Sequence, residues 1–294
     1  MGSGHNDNEL ELATASSSAE RTDGAVRQDG RKRRKAWTAV FAISLVVLVC
    51  SLAALGVIWF SYFQGQQKYH ALEDYAQVDK ADDGPAALTA DWESLMVMNS
   101  ETVAWLFMPN TVINYPVVRG GDNDYYLTHD FGGEEGWLAS YGAIFMDCRN
   151  NPDWSDELYF IYGHHMNDGS MFADLAGMTD QGRFDECRTI YLLSPNGNFK
   201  LRTFALVRCP ATEAIVQASF GSAEDRASYV QDKIDRSLVQ VDDIPPIDAM
   251  GKLFAFGTCD NVADGRYVLY AYTEATTVEG LHGEVGPESE LWIE

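Results

Sequence analysis

The longest feature in the hydrophobic pattern is a run of 27 residues without a charge, from Trp37 to Phe63. At a helical rise of ~1.5 Å per residue it would extend roughly 40 Å, more than the ~30 Å hydrocarbon core of a bilayer. This predicts a membrane-spanning helix over 36–63. The run begins far from residue 1 and no clean small-residue cleavage site follows it, so it reads as an uncleaved anchor. Five consecutive cations, Arg31-Lys32-Arg33-Arg34-Lys35, stand before it. Positive flanks stay on the cytoplasmic side, which predicts a single-pass protein of the cell membrane, N-terminus inside and the remainder extracellular. Residues 1–35 are rich in Ser, Asp, Glu, Gly and Asn with little apolar periodicity, and read as a disordered cytoplasmic tail.

Beyond the anchor the period changes twice. In 64–100, Tyr69, Leu72 and Tyr75 recur at helical spacing, Asp83-Gly84-Pro85 interrupts, and Trp92, Leu95 and Met96 form a second stripe. Two short helices are predicted there. From 101 to 294 the pattern shortens into eight strand-like runs rich in β-branched and aromatic residues: VAWLFM, INYPVV, GAIFM, LYFIY, TIYLL, FKLRTFALVR, KLFAFG and RYVLYAYT. A mainly β domain follows, a closed barrel or a sandwich. One helix interrupts it at about 222–240, where Ala223, Tyr229, Val230, Ile234 and Leu238 are compatible with one apolar face.

Charge adds a restriction. With 7 of the 21 basic and 6 of the 44 acidic residues in 1–35, the part from 64 to 294 keeps 14 basic against 38 acidic residues. So acidic a domain repels phosphate backbones, which argues against a nucleic-acid partner. The five cysteines, Cys50, Cys148, Cys187, Cys209 and Cys259, are odd in number and include no Cys-x-x-Cys pair. That spacing does not suit a zinc ribbon or a dense disulfide framework.

Three polar segments each follow or open a strong strand, where a sheet can aim side chains at a shared cleft. LYFIY runs into Gly163-His164-His165, KLFAF runs into Gly257-Thr258-Cys259, and Arg266 opens YVLYAYT. An imidazolium beside a thiol raises its thiolate fraction, so Cys259 and His164 make a plausible nucleophile and base. Taken by themselves the residues leave other readings open: Cys259 as a packed core thiol, and His164-His165 as a structural or metal-binding pair.

The wider motifs carry more. Asn114-Tyr115-Pro116-Val117-Val118, then Asn123-Asp124-Tyr125-Tyr126-Leu127, then Gly142-Ala143-Ile144-Phe145-Met146-Asp147 resemble the first half of a class B sortase catalytic domain. Tyr162-Gly163-His164-His165-Met166-Asn167-Asp168-Gly169-Ser170-Met171-Phe172 resembles the histidine motif of that class. Phe256-Gly257-Thr258-Cys259, followed seven residues later by Arg266, resembles its cysteine and arginine motif. The likeness spans about 100–275 with the motifs in order. The chain departs from the class at His165, where Asn is usual, and at Phe256-Gly257, where Leu-Ser is usual.

The resemblance implies an eight-stranded sortase-type β-barrel with N-terminal helices and one helix inserted before the cysteine strand. It implies a cysteine transpeptidase acting on the C-terminal sorting signals of secreted proteins, with a cell-wall precursor or pilin amine as acceptor and neither cofactor nor metal. In that reading Cys259 is the nucleophile, His164 the acid and base, and Arg266 the group that meets the oxyanion, while Thr258 contacts the substrate. Its rivals are a cysteine endopeptidase that releases surface proteins by hydrolysis, and a non-enzymatic membrane-anchored β-domain.

Overall fold

In the computed structural model, residues 7–78, 84–135, 141–210, 213, 216–260 and 265–278 are described, with the backbone alone described at 7–32, 36, 259 and 260. The chain divides into two units, Met1–Phe60 and Ser61–Glu294. The first unit is helix α1, which begins at Asp7 and ends within the second unit at Leu72. Its backbone is already helical over 7–35, where the sequence analysis expected a disordered tail; Glu9-Leu10-Glu11-Leu12-Ala13 and the basic run are good helix formers. Within Arg33–Tyr75 the most apolar 18 residues have a mean hydropathy of 2.8 and none of them is buried. By length and composition this helix can cross a membrane.

In the second unit, a two-stranded ribbon of β1 (Ala76–Gln77) and β2 (Thr89–Ala90) and helix α2 (Trp92–Met98) lead into the barrel. Asp91 caps α2 by accepting from the Ser94 amide. Of the apolar stripe expected there only Leu95 is buried; Met96 is exposed. Next come β3 (Thr102–Phe107), β4 (Asn114–Val118), α3 (Tyr125–Thr128), β5 (Ile144–Met146) and β6 (Leu158–Gly163). They are followed by α4 (Ala173–Gly177), α5 (Gln181–Glu186), β7 (Thr189–Leu193), β8 (Phe199–Pro210), α6 (Ala223–Asp235), β9 (Leu253–Asp260) and β10 (Gly265–Thr276). The eight strands from β3 onward coincide with the eight predicted runs. The β1–β2 ribbon and helices α3, α4 and α5 were not anticipated.

The eight strands close into a barrel in the order β10-β8-β7-β3-β4-β5-β6-β9. Two neighbours are parallel, β4 with β5 and β6 with β9; the other pairs are antiparallel. One apolar cluster draws on all eight strands, with Trp105, Val117, Ile144, Ile161, Ile190, Leu201, Phe254 and Leu269 among its buried members. The intervening side chains of β6, β8, β9 and β10, among them Phe160, Val207, Ala255 and Tyr270, form a second cluster closed by Val230 of α6. Burial on both faces explains why these strands read as nearly continuous apolar runs rather than alternating ones.

Ser222 caps α6 by accepting from the Asp225 amide. The helix ends at Asp235, so Leu238 lies beyond it and is half exposed, not on the apolar face expected. The Leu238 amide turns instead to the Leu206 carbonyl on β8.

Candidate active site

Two strand registers bring together segments that lie 95 residues apart. On one side of β9, parallel β6 sets Gly163 beside Thr258. On its other side, antiparallel β10 sets Arg266 directly opposite Cys259. Cys259 and Arg266 are therefore paired on neighbouring strands, and His164 directly follows the end of the third, beside Thr258. The side chain of Cys259 and the turn 261–264 lie outside the described residues.

The histidine segment is tightly built. A Cβ at Gly163 would collide with Ile144 and come within 2.9 Å of the Phe172 ring, so only glycine allows the chain to reach His164 by this path. The Phe172 amide donates to the His164 carbonyl at 2.8 Å, and His165 bridges to Met171, which closes the following segment into a loop. His164 Nε2 lies 2.6 Å from the carbonyl oxygen of Leu127, just before the end of α3. A carbonyl only accepts, so Nε2 carries a proton and the neutral ring keeps Nδ1 as its basic atom.

Two further residues shape this end of the sheet without having been predicted. The Tyr162 ring lies where a Cβ on Gly257 would touch it at 3.3 Å, so the missing side chain at 257 is filled by the tyrosine. The Tyr162 hydroxyl donates to Asp147 at 3.1 Å. Burial, then the Asp147 charge, pushes this phenol well above its ordinary range, while the charge of Arg266 draws it part of the way back. Asp147 is itself fully buried. Burial alone would raise its carboxyl, but hydrogen bonds from the Arg149 side chain and amide and from Asn123 outweigh that and hold it below the usual range. The second unpredicted residue is Gly142, at φ +56°, where a Cβ would meet the Tyr126 carbonyl at 2.5 Å and His164 Cδ2 at 3.0 Å.

Of the residues singled out in the sequence, Arg266 is half-buried in β10. Thr258 is only 2 % exposed and lies between Gly163 of β6 and Tyr267 of β10 in the sheet. Among the described residues no group of three or more His, Cys, Asp or Glu side chains is arranged to hold a metal ion. The Leu127 carbonyl carries no signal in sequence, since every residue has one. Gly142 stood in the sequence as the first residue of a motif shared with the class, with no sign there of its contact with His164.

A barrel of this order, with a Cys and an Arg paired on adjacent strands and a His just past the end of the next, can be compared with known proteins. No family model matches the chain. It is 28 % identical over 235 residues to sortase B of Listeria monocytogenes, covering 78 % of this chain and 94 % of that one. To sortase B of Staphylococcus aureus it is 26 % identical over 185 residues, 63 % of this chain and 70 % of the other. Among solved structures, sortase B of Bacillus anthracis in complex with AAEK1 superposes with a TM-score of 0.63 at 27 % identity, over 73 % of this chain and 98 % of that one. Clostridium perfringens sortase B gives 0.57 at 26 %, over 62 % and 98 %.

Fold and sequence likeness together point to the sortases, which implies a cysteine transpeptidase. The relatives and solved structures it resembles are class B sortases, which supports assigning the chain to that class.

Proposed function

We propose that this protein is a membrane-anchored transpeptidase that cleaves the C-terminal sorting signals of secreted proteins at Cys259 and passes the acyl group to an amine of the cell wall or of a pilin. The observation that carries the reading is the grouping of His164, Cys259 and Arg266 set by the β6–β9 and β9–β10 registers.

In the first half-reaction the Cys259 thiolate attacks the scissile carbonyl carbon, and the carbonyl electron pair moves onto oxygen. The Arg266 guanidinium, permanently charged and rich in donors, stabilises that oxyanion. When it collapses the C–N bond breaks, and the departing amine takes a proton from imidazolium His164 Nδ1, leaving a thioester. In the second half-reaction the acceptor amine attacks the thioester and His164 Nδ1 removes its proton. The C–S bond then breaks and the thiolate is regenerated. The Leu127 carbonyl supports both roles, because it fixes the ring and keeps the proton on Nε2.

The apolar helix, preceded by five cations, supports anchoring with the N-terminus cytoplasmic and the catalytic unit outside, where secreted chains emerge. The test is incubation of the detergent-solubilised full chain with sorting-signal peptides and candidate amines, read by mass spectrometry. A thioester on Cys259 that resolves to an amide is expected. Resolution to free acid alone at saturating amine would make the protein a hydrolase, and absence of any adduct across the peptide set would overturn the enzymatic reading.

A further inference from the structure

The last turns of α1, from Ser61 to Leu72, contact the segments that hold His164 through aromatic packing, ion pairs from Lys68 and a set of hydroxyl bridges. The Tyr69 hydroxyl donates to the Gly142 carbonyl at 2.5 Å and accepts from the Phe131 amide at 3.2 Å. Gly142 is the residue at which an added Cβ would come within 3.0 Å of His164 Cδ2, and its neighbour Ala143 donates to the Tyr126 carbonyl at 3.0 Å, one residue before the carbonyl that binds His164 Nε2. A second set of bonds reaches the loop on the other side of His164. Tyr141 bonds Asp168 and the Tyr62 carbonyl, and Gln66 donates to Asp168 at 3.2 Å. Gly65 is required for that approach, since a Cβ there would collide with the Tyr141 ring. Asp168 in turn accepts from the amide and hydroxyl of Ser170, which holds the loop turn.

Beside these bridges lies an open pocket of about 460 Å³, lined by Gln66, Tyr69, His70, Tyr115, Tyr141 and Asp168 among others.

We propose that Tyr69 is a positioning residue for His164: its hydroxyl fixes Gly142, and Gly142 with the Tyr126–Leu127 backbone sets the plane of the imidazole. Tyr141 and Asp168 secure the far side of the same loop, so the end of α1 is part of the catalytic unit and not only a stalk. Burial pushes the Tyr69 phenol far above its ordinary range, so it remains a hydrogen-bond donor at every working pH. Its ring meets Tyr115 edge-on at 5.5 Å, a contact that phenylalanine keeps. Removal of the hydroxyl alone therefore tests the bridge and not the packing.

This inference rests on the assignment of His164 as acid and base, and the experiment separates the two. In the full-length protein in detergent, Tyr69→Phe should lower kcat by on the order of 10- to 10²-fold with little change in KM, because a misplaced base slows chemistry more than binding. It should also move the pH midpoint of Cys259 alkylation by iodoacetamide away from the wild-type value. His70→Gln, on the same turn but exposed, should change neither. Wild-type kcat and an unmoved alkylation profile in Tyr69→Phe would overturn the positioning role. If His164→Ala in the same preparation left thioester formation intact, the catalytic assignment itself would have failed. Should Tyr69→Phe melt too early to assay, Tyr141→Phe decides in its place: a kcat loss with a displaced profile supports the bridge, and wild-type values sink it.

Discussion

The two ends of the β6–β9–β10 ladder belong to the same three strands yet are built from opposite materials. At one end Leu158, Leu253 and Phe254 are buried, and Phe254 stacks with Tyr159 at 5.4 Å and lies edge-on to Phe199 at 5.4 Å. At the other end stand Gly163, Gly257 and Thr258, with His164 and Arg266 partly open to solvent. The first end buries apolar area and supplies stability. The second gives up side-chain volume at its glycines, so that chain and rings can approach closely around His164, Cys259 and Arg266. On the proposed assignment of the site, stability and chemistry are separated along the strands by about five residues, and substitutions at the two ends should fail in different ways.

The largest effects belong to the glycine end. His164→Ala should lower transpeptidation by ~10²–10⁴ and Arg266→Ala by ~10²–10³, each with a melting temperature close to wild type. Arg266→Lys should recover only part of the loss, since it keeps the charge without the planar fork. Steady-state kinetics on the detergent-solubilised chain check this, and a large fall in melting temperature would blur the division between the ends. At the apolar end, Phe254→Ala should cost about 3–5 kcal/mol of stability while the folded fraction keeps its kcat. Denaturant melts combined with active-site titration would show it, and a kcat loss in fully folded protein would mean that the ends are coupled.

Asp147 sharpens the comparison because it is buried beneath the glycine end and yet plays a supporting part. Its carboxyl is held below its ordinary pKa in the folded protein. A group with a depressed folded pKa stabilises fully above its unfolded value, ~4, and that contribution drains away as pH falls through the folded value. Asp147→Asn should therefore cost about 1–3 kcal/mol near neutrality, with the gap to wild type narrowing below about pH 4. Thermal melts over a pH series measure it, and a gap that stayed constant into acid would show that shape rather than charge is what matters. The smallest effect should come from His165→Asn, which restores the residue usual in the class and should leave most of the activity. A loss as deep as that of His164→Ala would show that the working histidine had been misassigned.

Much of this was legible in the chain before folding. Eight apolar runs of strand length became the eight barrel strands, because burial on both faces leaves a continuous hydrophobic signal. The apolar run after five cations was equally plain, and it became an unburied helix long and apolar enough to cross a membrane. The motif around His164 and that around Cys259 were visible through their glycines, and Gly163 has a steric reason to be there. The end of α6 was misjudged at Leu238, because periodicity continues through a sequence after the backbone has turned toward β8.

Composition, period and local sterics are properties of neighbours in sequence, and they determined the apolar helix, the strands and the residue types able to do thiol chemistry. Only the tertiary structure decided that β6 runs parallel to β9, that the Leu127 carbonyl meets His164, and that a tyrosine at the end of α1 reaches Gly142. The reason is physical: strand register and backbone carbonyls are set by hydrogen bonds between segments tens of residues apart, and a carbonyl looks the same at every position until the fold has chosen its partner.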